Sequence, residues 1–202
     1  VLICAGRTFF AGADINEFGK PPVPPLLQEL QALIERSPKP VVAAIHGAAL
    51  GGGLELALVA HYRIALPAAK CGLPEVDIGL IPGAGGSQRL PRVVGVEAAL
   101  DMITSGRHVP APRAQAMGLL DALAPEGDLR AAAVAFARRV VAEGRALRRV
   151  RDLDANLAAA RAAPQLFADF RARHARQWRG FLAPQYAIRA VEAAGKLSLR
   201  HL

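Results

Sequence analysis

Ala49-Leu50-Gly51-Gly52-Gly53-Leu54-Glu55-Leu56-Ala57 sets three consecutive glycines directly ahead of an apolar, helix-forming run that holds one carboxylate. Glycine triplets favour neither helix nor strand, so this one marks a sharp turn or a close approach of backbone to a ligand. A helix beginning just after it points unpaired N–H groups back at the turn, with Glu55 in or next to the first turn. Backbone donors and a carboxylate in one cleft suit chemistry on a polarised carbonyl.

Upstream, Val41-Val42-Ala43-Ala44-Ile45 reads as a buried strand closed by His46-Gly47. Before it, Leu26, Leu27, Leu30, Leu33 and Ile34 recur at helical spacing, which predicts a helix from about Pro25 to Arg36. Val1-Leu2-Ile3-Cys4-Ala5 reads as a further buried strand, followed by a small-residue loop and by the proline-rich loop of Pro21, Pro22, Pro24 and Pro25. A central strand at residue 1 suggests that the sequence starts inside a domain.

Downstream, a helix runs to about Tyr62, and Arg63-Ile64-Ala65-Leu66 forms a strand. Cys71–Gly79 reads as a loop carrying a second isolated carboxylate, Glu75. Ile81-Pro82-Gly83-Ala84-Gly85-Gly86-Ser87-Gln88-Arg89-Leu90 is a second glycine-rich turn leading into a helical pattern. Repeated strand, loop and helix imply an α/β domain with parallel strands.

From Val96 onward alanine and arginine dominate. Leu129, Ala133, Phe136 and Val140 share one helix face, and the segments 153–163, 165–181 and 185–195 also read as helices. The domain division is therefore a core over 1–125, incomplete at its N-terminus, and a linker-like helical region over 126–202. The net charge of +8 lies wholly in the second part, where 15 Lys and Arg face 7 Asp and Glu, against 10 and 10 in the first. The plain reading is an Arg-rich solvated surface; the alternative is a surface for nucleic acid.

With 52% hydrophobic and 21% charged residues, the composition is that of a globular chain. No apolar run is long enough for a membrane span, and the first residues show no secretory signal pattern. Cys4 and Cys71 are too few for a disulfide scaffold, which sets a reducing, cytoplasmic location as the expectation. Scattered histidines give no metal site. His46 reads as a packing or hydrogen-bonding residue, and Cys71 lacks a histidine neighbour that would make it a nucleophile. Neither glycine turn fits a dinucleotide or a nucleotide-phosphate loop.

Glu55 and Glu75 are the chemical candidates. Partial burial would raise both pKa values, and a shared site would raise one further. Such a pair can place a proton and an activated water at opposite ends of a polarised double bond. The bland alternative is a helix-terminal glutamate and a surface one.

In Ala11-Gly12-Ala13-Asp14-Ile15, Lys39–Gly47, the glycine triplet with Glu55, Leu73-Pro74-Glu75-Val76 and Gly79–Leu90, in that order over about 90 residues, the chain resembles the enoyl-CoA hydratase/isomerase (crotonase) superfamily. Weaker agreement continues through Thr104-Ser105-Gly106-Arg107 and 116–121. The resemblance implies a spiral of ββα units with a helical C-terminal region, and an oxyanion hole from the N–H groups of Ala13 and Gly52. It implies Glu55 as the base that activates water, Glu75 as the acid that protonates C2, and Gly83 as a backbone that helps hold the water. Ala11, Asp14 and Ile15 fall in the implied coenzyme A site.

The activity so implied is hydration of a trans-2-enoyl-CoA in fatty-acid β-oxidation, with Δ3,Δ2-enoyl-CoA isomerisation as the alternative. The thioester is the substrate and no separate cofactor is implied. Leu166–Arg171 and Arg179–Pro184 resemble the linker that follows the hydratase part of multifunctional fatty-acid oxidation enzymes, where a 3-hydroxyacyl-CoA dehydrogenase comes next. The implied assemblies are a homotrimer or hexamer, or a single chain with a dehydrogenase domain in the full-length protein.

Overall fold

The computed structural model describes residues 1–12, 16, 19–21 and 23–197. Its strands form two sheets. In the first, β1 (Leu2–Ile3), β2 (Val42–Ile45), β4 (Tyr62–Ala65) and β7 (Ala122–Leu123) lie in the order β1-β2-β4-β7, all parallel. In the second, β3 (Ala48–Leu50) pairs parallel with β5 (Lys70–Gly72), and β5 pairs antiparallel with β6 (Val109–Pro110). Only His46 and Gly47, the latter with φ of +60°, separate β2 from β3, so one chain passes directly from sheet to sheet. Parallel neighbours need crossovers, and the one from β2 to β4 runs through β3 and α2 (Gly52–Val59).

Val42, Ala43, Ala44 and Ile45 are all buried, as a strand covered on both faces should be. The β1 residues are only half-buried, so the predicted buried strand at 1–5 is a two-residue edge strand. The predicted loop at 71–79 is instead the end of β5 followed by a 3-10 turn, Pro74–Ile78, which Gly79 closes at φ of +77°. Pro74 opens that turn because its fixed φ suits a first helical position.

The helix predicted at 25–36 exists as α1 (Leu27–Arg36). Leu30 and Leu33 are exposed, Leu33 by 71%, while Gln31 and Glu35 are the buried residues. The leucine spacing marks the helical period, while polar partners inside the fold claim Gln31 and Glu35, and Leu26, Leu27 and Ile34 are half-buried beside them.

Beyond the sheets, α3 (Gly86–Val94), α4 (Val96–Ser105) and α5 (Ala111–Ala116) precede α6 (Leu129–Ala142). In α6 the buried residues are Leu129, Ala133, Phe136 and Val140, the predicted face, which packs over Val42, Ala44, Tyr62 and Ile64. The segments read as helices at 153–163 and 165–181 are shorter: one 3-10 turn (Ala155–Leu157) and α7 (Ala158–Ala162), then α8 (Gln165–His174). The last helix, α9 (Ala183–Lys196), buries Ala187, Ile188, Val191 and Ala194. Of these, Ala187, Ile188 and Val191 join Leu54, Leu58, Leu90, Leu100 and Ile103 in one apolar cluster, so the C-terminal helices and the α/β part share a core. Among the described residues, no helix is long and apolar enough to cross a membrane.

Candidate active site

Gly51 has φ of +53° and hands the chain from β3 to α2, with its N–H donated to the Gly72 carbonyl at 3.0 Å. The helix begins at Gly52, so the second and third glycines belong to its first turn instead of preceding it. As the first helical residue, Gly52 has an N–H with no acceptor within its own helix. Gly53 explains the triplet best. A Cβ there would overlap the Phe10 carbonyl oxygen and approach the Phe10 Cβ to 2.6 Å. The loop after Phe9 therefore lies directly against α2, tied by Phe9 N–H to His46 O and by Leu50 N–H to Phe10 O, each at 2.9 Å.

That loop carries Ala11 and Gly12, both exposed, and Gly12 has φ of +120°. A Cβ at Gly51 would stand 3.7 Å from the Gly12 Cα, which brings the 11–12 backbone to the N-terminus of α2. Ala13, Asp14 and Ile15, expected as an oxyanion donor and coenzyme A contacts, lie outside the described residues.

Glu55 lies in the first turn of α2 and is 3% exposed. Its Oε1 accepts two N–H groups from the second glycine turn, Ala84 at 2.8 Å and Gly86 at 2.7 Å. Gly86 is the first residue of α3, so the carboxylate also sits at the positive end of that helix. Burial raises the Glu55 pKa, while the N–H groups of Gly86 and Ala84 and the Arg89 charge pull it down.

Glu75 sits on the 3-10 turn, half-buried, with its Oε2 enclosed and lacking a hydrogen-bond partner. Burial pushes its pKa up to about 7; its own backbone N–H opposes this, and the Glu55 charge adds to the rise. The two carboxylates thus share one field, flanking the first glycine turn: a Cβ at Gly51 would lie 3.4 Å from Glu75 Oε1. One carboxylate held by two donors beside one poised to keep its proton is an arrangement for moving protons.

Gly83 is exposed and lines a cavity of about 300 Å3 with Gln31, Glu35 and Arg89, one residue before the Ala84 donor. Cys71 is fully buried and its thiol is pushed up to about 12, which leaves no thiolate for nucleophilic work. The imidazole of His46 faces the Gly6 carbonyl at 3.2 Å, a structural contact.

Sequence reasoning did not single out Gly86 or Ala84 as donors to Glu55, nor the buried trio of Gln31, Glu35 and Arg89 behind them. A glutamine and a glutamate four residues apart on a helix with outward leucines is the only local hint, visible once the helix face is known.

The sequence profile of the family described as enoyl-CoA hydratase/isomerase matches residues 1–177. The peroxisomal bifunctional enzyme of Danio rerio is 45% identical over 199 residues, and that of Homo sapiens is 44% identical over 196. In each case the match covers 96% of this chain and 27% of the relative, so the chain spans about a quarter of the length of these proteins. Among solved structures, the enoyl-CoA hydratase of Bacillus anthracis matches at a TM-score of 0.62 and 30% identity, covering 98% of this chain and 71% of that one. Enoyl-CoA hydratase EchA1 of Mycobacterium marinum matches at 0.63 and 33%, covering 88% and 68%. The expected cytoplasmic location does not stand: these curated relatives are peroxisomal. A low cysteine count reports a reducing environment and does not distinguish between compartments that share one.

Proposed function

The chain belongs to the enoyl-CoA hydratase/isomerase family, and on that premise we propose that it adds water across a trans-2-enoyl-CoA in β-oxidation. The observation that carries this reading is the pairing of Glu55, with two N–H groups converging on its Oε1, and Glu75, raised to about 7, at one glycine turn.

In this reading the thioester oxygen of the substrate takes the Gly52 N–H and that of Ala13, which draws electrons out of the C2–C3 double bond. Glu55 uses its other carboxylate oxygen to take a proton from water as the C3–O bond forms. The π pair moves through C2 to the thioester oxygen, and Glu75 returns it by delivering a proton to C2. Passage of the proton from Glu55 back to Glu75 through solvent restores the starting state, so the net change is one water added. Gly83 takes the role of water-positioning backbone, and Ala11, Asp14 and Ile15 those of coenzyme A contacts. The only coenzyme required is the one carried by the substrate.

Hydration of crotonyl-CoA by the purified chain, followed as loss of the enoyl thioester absorbance, tests the reading. Glu55→Gln and Glu75→Gln should each lower turnover by about 10²–10⁴-fold, the worth of one general acid or base, with unchanged circular dichroism. Near-normal turnover in either variant would sink the assignment. The same glutamates could shuttle a proton between C4 and C2, so a 3-enoyl-CoA assayed in parallel separates hydration from isomerisation.

The nucleic-acid alternative weakens on the C-terminal charges themselves. Arg148 pairs with Asp121, Arg151 with Glu35, Arg161 with Asp154, and Arg171 with Glu192. Guanidinium groups so engaged are poor candidates for a phosphate-binding face. For the full-length protein, the bifunctional relatives support a second catalytic part, which we assign to dehydrogenation of the 3-hydroxyacyl product.

A further inference from the structure

Behind Glu55 lies a set of buried charges that the hydration steps leave unused. Glu35 on α1 is 1% exposed, and its carboxylate meets Arg89 twice, from Nε at 3.0 Å and from Nη2 at 3.2 Å. Arg151 Nε stands 3.0 Å from the same carboxylate, and Arg149 Nε donates to the Glu35 carbonyl at 2.8 Å. Arg89 turns its remaining Nη1 to the Ala84 carbonyl at 3.2 Å, where Gln31 Nε2 also donates at 3.0 Å. The Ala84 carbonyl belongs to the peptide between the two N–H groups that hold Glu55 Oε1.

A buried ion pair is weak evidence for stability, because desolvation of both partners offsets their attraction. Here the pair joins α1, α3 and the 149–151 segment, and its free edge fixes one peptide plane. The conformation at stake is demanding: Gly85 has φ of +91°, and a Cβ there would overlap the Arg89 guanidinium.

We propose that Glu35, Arg89 and Gln31 are positioning residues for Glu55: they hold the Ala84 carbonyl so that the Ala84 and Gly86 N–H groups stay aimed at Oε1. The inference rests on the reading of Glu55 as the base, and extends it to residues that touch no substrate.

The charged groups facing Glu55 are Glu75 from the 3-10 turn and Arg89 from α3, with Glu35 of α1 and Arg151 behind Arg89. This makes the sign of one substitution decisive. Glu35→Gln removes a negative charge, so through-space electrostatics alone would lower the Glu55 pKa. Loosening of the donors would raise it, because N–H groups that favour the ionised form are lost. Gln31→Met removes a donor and no charge, so it can act only through the carbonyl.

The whole chain, labelled with carbon-13 at glutamate carboxyls and assigned with Glu55→Gln, is titrated by NMR as wild type, Glu35→Gln and Gln31→Met. Both variants should raise the Glu55 pKa, Gln31→Met by about half a unit, the equivalent of one weakened hydrogen bond. In crotonyl-CoA hydration, kcat should fall several-fold with KM nearly unchanged. If Glu35→Gln does not fold, Gln31→Met decides. An unmoved Glu55 titration in folded Gln31→Met overturns the proposal, as does a lowered one in folded Glu35→Gln. A wild type that hydrates nothing while the titrations shift as expected sinks the hydratase reading and leaves the positioning intact.

Discussion

The N–H of Gly86 donates to Glu55 Oε1 at 2.7 Å, a bond between the first turns of two helices that start at different glycine turns. It makes the two turns one object. The first supplies the carboxylate and the outward N–H of Gly52, and the second fixes where that carboxylate points. Glu75 stands at the rim of the first turn with no comparable donors on its enclosed oxygen, so two chemically identical side chains differ in their hold on a proton.

Gly86→Ala should therefore damage catalysis more than folding. An added Cβ would lie 2.9 Å from Glu55 Oε1, 3.0 Å from its Cγ and 3.1 Å from Leu73 Cδ1. The backbone at Gly86 is not left-handed, so the methyl acts by displacing the carboxylate. Turnover of crotonyl-CoA should fall by about 10²-fold, as expected when a catalytic group is misplaced by about 1 Å. Thermal melting should show a loss of only about 1–3 kcal/mol from overpacking. A folded variant with wild-type kcat would show that the Glu55 position is not critical.

Glu75 gives a pH dependence with a definite sign. Its folded-state pKa of about 7 lies above the ordinary value of 4.5, so folding favours the protonated form. That contribution is fully present below about pH 4.5 and is lost as pH rises through 7. Glu75→Gln, which stays neutral, should gain roughly 1–3 kcal/mol relative to wild type at pH 8, the upper end reduced by solvent near this half-buried group. Urea melts at pH 4.5 and pH 8 measure it; a gain equal at both values would rule out ionisation of Glu75 as the source. Hydration by the wild type should in parallel decline above pH 7, as the acid loses its proton.

Much of this was legible in the chain, and the failures have physical causes. The triplet, the carboxylate after it and the second glycine turn signal themselves through residue types that only special backbone conformations demand. The α6 face could be read because Leu129, Ala133, Phe136 and Val140 pack on a sheet that accepts any apolar side chain. In α1 the same spacing marks the helix but not which residues turn inward. Gln31 and Glu35 are drawn inward by Ala84 and Arg89, partners 53 and 54 residues away, and no local pattern encodes them. The strand at 1–5 was overread because a run of apolar residues does not reveal whether a sheet continues past it.

Gly53→Ala probes the contact that shapes the triplet. Its Cβ would overlap the Phe10 carbonyl, so α2 and the 9–12 loop must separate. Overpacking of this kind costs about 1–3 kcal/mol, readable as a lower urea midpoint. The loop leads to Ala13, the second proposed oxyanion donor, and losing one such donor costs about 3–4 kcal/mol of transition-state stabilisation. The loss in kcat/KM should exceed what the unfolded fraction explains; equal losses would separate the loop from catalysis.

The shared core predicts how the chain unfolds. Trp178, the one tryptophan, is 7% exposed and lies at 5.8 Å from Phe170 by ring centroids, stacked with His174 at 4.6 Å. It reports on the C-terminal helices, while far-ultraviolet circular dichroism reports on the whole fold. Because Ile188 and Val191 of α9 pack in the same cluster as Leu90 and Leu100, and Gln88 Nε2 donates to the Ala190 carbonyl at 2.5 Å, the two probes should give one urea midpoint. Ile188→Ala should lower that common midpoint through a loss of about 2–5 kcal/mol of stability, the usual consequence of a cavity at a fully buried site. An earlier tryptophan transition that leaves most of the circular dichroism in place would instead make residues 126–202 a separate folding unit. In that case Ile188→Ala should move the tryptophan midpoint alone, and crotonyl-CoA hydration should survive at urea concentrations where the tryptophan signal is already lost.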